Sequence, residues 1–293
     1  MQYRVHVRPS FGRMQVQKLR PAHVSRWLAE KRGQGIDVAS VYEILRVLIA
    51  HAQTRGLVVE SPLKRLSAAE RPKRRCQNPP RCLTDEEVSR LIENALPSSR
   101  LAITTQAFLG LRQSEVLGLV WGDLELEEGV GNITAQLNRK KRGEPARRVP
   151  TKTDRGVREV DLLPDLVALL KRHKAEAFAS GHARPEDFVF STAEGRPFYY
   201  RNVTRAFTTA ADRAGLNSRE DVPRLTTHDL RHTAISRWIA SGLDAVEVAR
   251  QAGDTVETVT KTYMHEFDRA KRKDEIRAKL AAGTSIRLAG GNQ

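Results

Sequence analysis

The sequence THDLRHTAISRWIASG at residues 227–242 is the most informative stretch of the chain. Its patterning predicts a helix over 228–241, and His228 and Arg231 lie three residues apart, so they project from one face of the first turn. His232 follows His228 by four residues and lies on an adjacent side. Because a histidine near a helix start is usually structural, the meaning of this stretch depends on the rest of the chain.

The charge of the chain points to an anionic partner. The 293 residues include 50 Lys and Arg against 35 Asp and Glu, a net charge of +15, and 40% are hydrophobic, which excludes wholesale disorder. Residues 1–75 hold 16 basic and 5 acidic residues, so +11 of the excess lies in the first quarter. A merely solubilising surface would not concentrate one sign in one segment. We therefore expect contact with the phosphates of nucleic acid.

Several classes of protein are excluded. No stretch approaches the roughly 18 uncharged apolar residues of a membrane helix, and the N-terminus has no apolar run typical of a signal peptide. These features predict a cytoplasmic protein without a membrane partner. Cys76 and Cys82 are too few for a disulfide framework or a four-ligand zinc site.

The patterning predicts a mainly helical chain with a small antiparallel β-sheet. Alternating residues at 133–137, two short strands joined by a turn within 147–162, and the run FVF at 188–190 predict the strands. A capping box from Thr84 to Glu87 starts one helix. The predicted helices are 21–32, 39–55, 84–94, 100–118 with a loop at Gly110–Leu111, 164–180, 200–214, 228–241, 244–252, 255–264 and a charged tail helix at 267–282.

Five polar residues lack an obvious packing role. Taken singly, each has an ordinary structural explanation. Together they match cleavage of a phosphodiester without a metal or another cofactor, which needs a nucleophile, cationic donors for the non-bridging oxygens and an acid for the leaving oxygen. The candidates are Arg112, Lys152, His228, Arg231 and Tyr263.

Four stretches of the chain resemble the tyrosine recombinases of the phage integrase type. Arg112 matches the arginine of the family's first box, Lys152 its hairpin lysine, His228, Leu230, Arg231 and His232 its HxLRH box, and Tyr263 its nucleophile. The order and spacing of these boxes make the resemblance specific. The stretches are GLRQSEVLGLVWGDL (110–124), PTKTDRGVREVDL (150–162), THDLRHTAISRWIASG (227–242) and AGDTVETVTKTYMH (252–265).

The resemblance implies a mechanism. Tyr263 attacks a phosphate and forms a 3′-phosphotyrosine link, Arg112 and Arg231 hold the non-bridging oxygens, Lys152 protonates the leaving 5′-oxygen, and His228 assists. Three further residues, Glu115, Asp123 and His232, are expected to support this set. For Glu115 and Asp123, a role in capping a helix or a surface position is equally open.

The resemblance also implies an architecture and partners. It predicts a helical, SAM-like core-binding domain over 1–66, a basic linker over 67–82, a catalytic domain over 83–283 and a flexible tail over 284–293. The expected partner is double-stranded DNA at a core-type recombination site. Four protomers would assemble on two DNA sites, with the tail helix packing in trans and an excisionase or bending protein as an accessory partner. The implied activity is integration or excision of a mobile element.

Two features depart from the family pattern. Asp254 stands nine residues before Tyr263, where the family usually has His or Trp. An ionised carboxylate cannot donate a hydrogen bond to a phosphate, so we expect it to accept one from a neighbouring Arg or Lys. The chain also begins within what would be the first helix of the core-binding domain, so most of that helix is expected to be missing.

Two other functions stay open from the sequence. The first is a DNA-binding relic or regulator with weakened catalysis, which Asp254 and the short N-terminus favour. The second is a type IB topoisomerase, which uses similar chemistry, although the compact boxes and the lack of long accessory domains argue against it.

Overall fold

The computed structural model describes residues 2–72, 81–138, 146–151, 154–219 and 221–268. The chain divides into two compact units, residues 1–79 and 80–293.

The first unit is helical. Pro21 occupies the first turn of its second α-helix, where a missing N–H costs nothing, and the Asp37 side chain accepts from the backbone N–H of Ala39 to cap the third. Its α-helices are α1 (Arg8–Phe11), α2 (Pro21–Gly33) and α3 (Val38–Thr54), with a π-helical turn at Tyr3–Val7 and 3₁₀ turns at Val16–Lys18 and Pro62–Arg65.

The core of the first unit follows the predicted apolar stripes. Val24, Trp27 and Leu28 of α2 are all buried, and the Trp27 ring packs edge-on against Phe11 with centroids 5.1 Å apart. On α3 the stripe is narrower than the sequence indicates, because Leu48 is 41% exposed.

The second unit is also mostly helical. Thr84 and Glu87 form the predicted capping box, and Pro97 begins the next helix three residues before the predicted start. The α-helices are α4 (Asp85–Glu93), α5 (Pro97–Leu109), α6 (Gln113–Val116), α7 (Pro164–Ala179), α8 (Tyr200–Arg213), α9 (Thr227–Ala240), α10 (Ala245–Ala252) and α11 (256–268).

Two small antiparallel sheets lie beside these helices. One has the strand order β1–β2–β5 and the other pairs β3 with β4. The expectation that the two strands within 147–162 pair with each other as a hairpin is wrong, because β4 pairs with β3 and β5 pairs with β2. The strands are β1 (Leu124–Glu125), β2 (Val130–Ile133), β3 (Ala135–Leu137), β4 (Arg148–Pro150) and β5 (Arg158–Asp161).

The predicted strand at 188–190 is reduced to one isolated bridge, between Phe188 and Val120. Val189 and Phe190 are nevertheless buried in the largest apolar cluster of the unit. Core packing against helices and sheet therefore accounts for this apolar run. A continuous short apolar run does not by itself distinguish a strand from a buried loop.

The expected fold class, mainly α with small antiparallel sheets, is confirmed. None of the helices in the described part of the chain has the length and apolar character needed to span a bilayer. The predicted linker residues 73–80, the tail helix beyond 268 and the tail at 284–293 lie outside the described residues.

Candidate active site

Two helices that end in left-handed glycines position residues from distant parts of the sequence. Gly110 ends α5 with φ +57°, and a Cβ there would lie 2.9 Å from the Trp238 ring of α9. Gly253 ends α10 with φ +66°, and a Cβ there would lie 2.6 Å from the Arg158 guanidinium. Only glycine combines this backbone conformation with such close approach. Asp254 follows Gly253 directly, and Arg112 follows Gly110 by two residues.

Arg112 precedes the short helix α6 and is held by two carboxylates. Its backbone N–H donates to Glu115 Oε2 at 3.0 Å, and its Nη1 donates to Glu115 Oε1 at 2.9 Å. Its Nη2 donates to Asp254 Oδ1 at 2.8 Å. Burial alone would lower the pKa of Arg112, but the two carboxylates outweigh it and raise the pKa. The guanidinium is thus charged, oriented and still 37% exposed on its side chain.

Arg158 of β5 was missed by the sequence reasoning, although it lies in the quoted basic stretch after Lys152. Its Nη2 donates to Glu115 Oε2 at 3.0 Å, and the two side chains are 4% and 3% exposed. Its Nε and Nη1 donate to the carbonyls of Gln251 and Gly156. Arg158 therefore ties the sheet to the turn that carries Asp254.

Glu115 accepts hydrogen bonds from the side chains of both arginines and also caps α6 by accepting from the Arg112 backbone N–H, so its contacts fit both of the roles left open for it. Burial would raise the pKa of this carboxyl, but Arg158 and Arg112 outweigh burial and hold the pKa below its ordinary value. The carboxylate is therefore ionised at neutral pH, where it neutralises one of the two positive charges beside it.

Arg231 is the fifth residue of α9, at the start of its second turn, and its side chain is 3% exposed. Nη1 donates to the Gly110 carbonyl at 2.9 Å, and Nη2 donates to Asp254 Oδ2. Burial and the nearby Arg112 charge lower the pKa of Arg231, while Asp254 opposes them. Arginine remains charged even so, because its ordinary pKa exceeds 12.

Asp254 bridges Arg112 and Arg231 with its two carboxylate oxygens. The hydrogen bonds expected of it from the sequence are present, and it accepts from two arginines rather than one. We call the group Arg112, Glu115, Arg158, Arg231 and Asp254 the arginine cluster. Its three arginines and two carboxylates leave a net charge of +1.

Tyr263 of α11 belongs to a second group of side chains, separate from the arginine cluster. The residue is 3% exposed and packs with Ile235, Ile239 and Val259. Burial raises the pKa of the phenol above its ordinary value, although Arg231 acts in the opposite direction. The phenol is therefore neutral at pH 7. Tyr263 contacts His232, the residue that follows Arg231 on α9, so the nucleophile candidate lies near the arginine cluster.

His232 contacts Tyr263, and His228 contacts His232. A hydrogen bond joins His232 Nδ1 and Tyr263 Oη, and the two histidine rings meet edge to face with centroids 4.7 Å apart. Burial and the neighbouring His228 lower the pKa of His232 to about 4, and burial followed by Arg231 lowers the pKa of His228. We call His228, His232 and Tyr263 the tyrosine cluster.

Asp123 does not take the role of supporting Arg112. Its two carboxylate oxygens accept from Arg148 Nη2 at 2.6 and 2.7 Å, and Oδ2 also accepts from the backbone N–H of Val120. Asp123 instead caps the 3₁₀ turn at Trp121–Asp123, which is the alternative role that the sequence left open. Sequence spacing could not tell these roles apart, because Arg148 belongs to a strand that is distant in sequence.

Lys152, the candidate acid, lies outside the described residues. Its neighbours Pro150 and Asp154 end β4 and begin the 3₁₀ turn at Asp154–Gly156. The part of the chain that is described contains no group of three or more His, Cys, Asp and Glu side chains able to hold a metal ion.

Comparison with known proteins gives one consistent family. Residues 81–270 match the model of the phage integrase family. The chain is 26% identical over 281 residues to the putative prophage phiRv2 integrase of Mycobacterium tuberculosis, covering 94% of this chain and 70% of that protein. It is 25% identical over 297 residues to a tyrosine recombinase XerC-like protein of Caldanaerobacter subterraneus, covering 92% and 73%.

Solved structures show the same fold. The Tn1549 transposon integrase, in complex with transposon right end DNA, has a TM-score of 0.76 and 20% identity, covering 94% of this chain and 90% of that one. A lambda integrase dimer bound to a COC′ core site has a TM-score of 0.60 and 15% identity, covering 89% and 86%.

Proposed function

The chain belongs to the phage integrase family of tyrosine recombinases, and from this we propose that it breaks and rejoins double-stranded DNA through a 3′-phosphotyrosine intermediate. The observation that carries the proposal is the pair of guanidinium groups, from Arg112 and Arg231, that converge on one carboxylate, with the buried Tyr263 hydrogen-bonded to the residue next to Arg231. Two cations fixed around a single anion can hold the two non-bridging oxygens of a phosphate.

In the proposed reaction, Tyr263 Oη bonds to the scissile phosphorus and the bond to the 5′-oxygen breaks. The phenol loses its proton, and the 5′-oxygen gains one from Lys152. The arginines stabilise the charge that grows on the non-bridging oxygens, and His228 assists by hydrogen bonding or proton transfer. A 5′-hydroxyl from a second DNA end reverses the step and rejoins the strands.

Asp254 sets a condition on this reaction. The donors that a phosphate needs are the ones that Asp254 already occupies. An incoming phosphate must therefore displace the carboxylate or share the arginines with it. The ionised carboxylate also repels the phosphate charge, so DNA must contribute enough binding energy elsewhere to offset this.

The proposed partner is double-stranded DNA carrying a core-type recombination site. The +11 charge of residues 1–75 supports this, because neutralised phosphates release counterions and strengthen binding. We propose a homotetramer on two such sites, with an excisionase or bending protein as an accessory factor. The proposed biological role is integration or excision of a mobile element, as the names of the prophage and transposon integrases suggest.

A nicked suicide substrate tests the proposal. The wild type should accumulate a covalent protein–DNA adduct, because the short 5′-terminal fragment diffuses away. Tyr263→Phe should form no adduct while its DNA affinity stays within about twofold. Adducts that persist in Tyr263→Phe would exclude this residue as the nucleophile.

A second candidate function is supported by Asp254. If the carboxylate blocks the arginines permanently, the chain is a DNA-binding relative with weakened catalysis. The same assay separates the two functions, because that protein would bind core-type DNA without forming an adduct. A supercoil-relaxation assay beside two-site recombination would identify a type IB topoisomerase activity.

A further inference from the structure

The reaction proposed above gives His232 no role, although His232 contacts Tyr263. His232 lies one residue after Arg231 on α9, and its Nδ1 forms a hydrogen bond with the phenolic oxygen of Tyr263 on α11. Tyr263 Oη is the atom that attacks phosphorus in the proposed function. A side chain in direct contact with it lies where the phenolic proton must leave.

We propose that His232 is the general base that accepts the Tyr263 proton during DNA cleavage. As Oη bonds to phosphorus, the Oη–H bond breaks and the proton moves to His232 Nδ1, while the 5′-oxygen leaves with a proton supplied by Lys152. In rejoining, the imidazolium returns its proton to the departing phenol. This inference rests on the proposed function.

His228 is less well placed for this step. Its ring contacts the His232 ring edge to face, with centroids 4.7 Å apart, whereas the phenol forms its hydrogen bond with His232. His232 lies between His228 and Tyr263, with its own ring centroid 5.8 Å from the Tyr263 ring. Geometry comes first in the choice of a base, because a proton moves only over hydrogen-bond distances.

At pH 7 the phenol carries its proton and His232 is neutral, but burial makes Tyr263 a weaker acid and His232 a weaker base, so the transfer requires a change in the local charge. The low pKa of His232, about 4, keeps its ring neutral at pH 7, so one ring nitrogen is free to accept. The charged groups near the ring are Asp229, Arg231 and Asp254, and those near the phenol include Glu266. A phosphate that enters the arginine cluster adds negative charge, which stabilises an imidazolium and increases the basicity of His232.

A purely structural role for the contact is the alternative to be excluded. Ser236 lies one turn after His232 on α9, and its Oγ donates to Glu266 Oε1 of α11 at 2.8 Å. This second contact also joins α9 to α11 but does not involve Tyr263. Ser236→Ala is therefore the matched control for weakened docking of α11.

Single-turnover cleavage of the suicide substrate provides the first test. We expect His232→Ala and His232→Asn both to lower the cleavage rate by about 100-fold or more. Asn can accept the phenolic hydrogen bond through its side-chain oxygen but cannot take up the proton. Ser236→Ala should stay within about threefold of wild type. Near-wild-type cleavage by His232→Asn, or an equal loss in Ser236→Ala, would reduce His232 to a positioning residue.

A substrate with sulfur in place of the bridging 5′-oxygen separates base from acid. A thiolate leaves without a proton, since thiols are more acidic than alcohols. Lys152→Ala should recover on this substrate, whereas the His232 variants should remain slow. Recovery of His232→Ala would show that His232 acts on the leaving group and would overturn the proposal.

The direction of the hydrogen bond can be measured without DNA. In ¹⁵N spectra of the full chain at pH 7, the proposal requires neutral His232 with its proton on Nε2, so that Nδ1 accepts. A proton on Nδ1 would overturn the proposal whether or not the protein cleaves DNA. If the wild type forms no adduct, the proposed function is rejected instead. The two experiments therefore distinguish failure of the His232 proposal from failure of the proposed function.

Discussion

The arginine cluster and the tyrosine cluster lie side by side but are built on opposite principles. In the arginine cluster, buried and half-buried charges are retained because each has an opposite partner, as Glu115 shows with Arg112 and Arg158. In the tyrosine cluster, burial keeps both Tyr263 and His232 neutral. The first is suited to stabilising charge that grows during a reaction. The second is suited to moving a proton.

The largest effect is expected from Arg231→Ala, a substitution in the arginine cluster. Removal of the guanidinium leaves Asp254 and the Gly110 carbonyl without their buried donor. We expect the cleavage rate to fall about 100- to 1,000-fold and the free energy of unfolding to fall by about 3–5 kcal/mol. Suicide-substrate kinetics and urea denaturation measure the two effects.

Arg237→Ala is the matched control on the same helix, because Arg237 pairs with the exposed Asp85 at the surface. It should cost at most about 1 kcal/mol. Arg231→Lys retains the charge and separates loss of folding from loss of chemistry. Cleavage by Arg231→Ala within tenfold of wild type would mean that this guanidinium does not hold the phosphate.

Glu115→Gln tests whether paired charge holds the arginine cluster together. The substitution leaves Arg158 buried without its carboxylate, so we expect a loss of about 3 kcal/mol in the free energy of unfolding. Glu247→Gln, which alters an exposed pair with Arg250, should lose less than about 1 kcal/mol.

The ion pairs of Glu115 also predict how the stability difference between wild type and Glu115→Gln changes with pH. Because the pKa of Glu115 is lowered in the folded state, its contribution is present above the ordinary carboxyl pKa and is lost as pH falls through the folded value. The gap in stability between wild type and Glu115→Gln should therefore narrow in acid. A gap that stays constant between pH 7 and pH 3 would contradict the ion-pair explanation.

The tyrosine cluster predicts a smaller effect over a different pH range. The unfolded chain protonates His232 near pH 6.5, whereas the folded state holds its pKa at about 4. Stability should therefore fall as pH drops from about 6.5 toward 4. Because the ring is only partly buried, the expected loss is about 1 kcal/mol.

Urea denaturation of wild type and His232→Asn at several pH values between 7 and 4.5 measures this effect. The free energy of unfolding should depend less steeply on pH in the variant. The charges of Asp229, Arg231 and Asp254 and the titration of His228 remain in both proteins. Identical slopes would mean that His232 is solvated like an ordinary surface histidine.

Among the substitutions of the arginine cluster, the smallest change in the cleavage rate is expected at Asp254, where the side chain is 27% exposed. Asp254→Ala removes a negative charge from the phosphate position, so DNA affinity at low salt should rise several-fold. Asp254→His should also supply a hydrogen-bond donor and raise the cleavage rate about tenfold. Filter binding and the suicide substrate measure these changes. If Asp254→Ala matches wild type in both, the carboxylate has no role in the site.

Much of the molecule could be predicted because the signals are local. Apolar spacing predicted α2, α3 and α7 to within a residue or two, and the Thr84–Glu87 capping box marked the start of α4. The motifs also indicated Arg112, Arg231 and Tyr263, since their order along the chain is characteristic of the family.

Tertiary structure decided the partners of these residues. Asp254 reaches Arg112 across 142 positions of sequence, Arg158 reaches Glu115 across 43, and β4 pairs with β3 rather than β5. Helix periodicity, caps and motifs depend on neighbours within a few residues and can be read from the chain. Strand pairing, shared counterions and the contact of His232 with Tyr263 depend on which surfaces meet when the core packs, and residue spacing alone does not encode that choice.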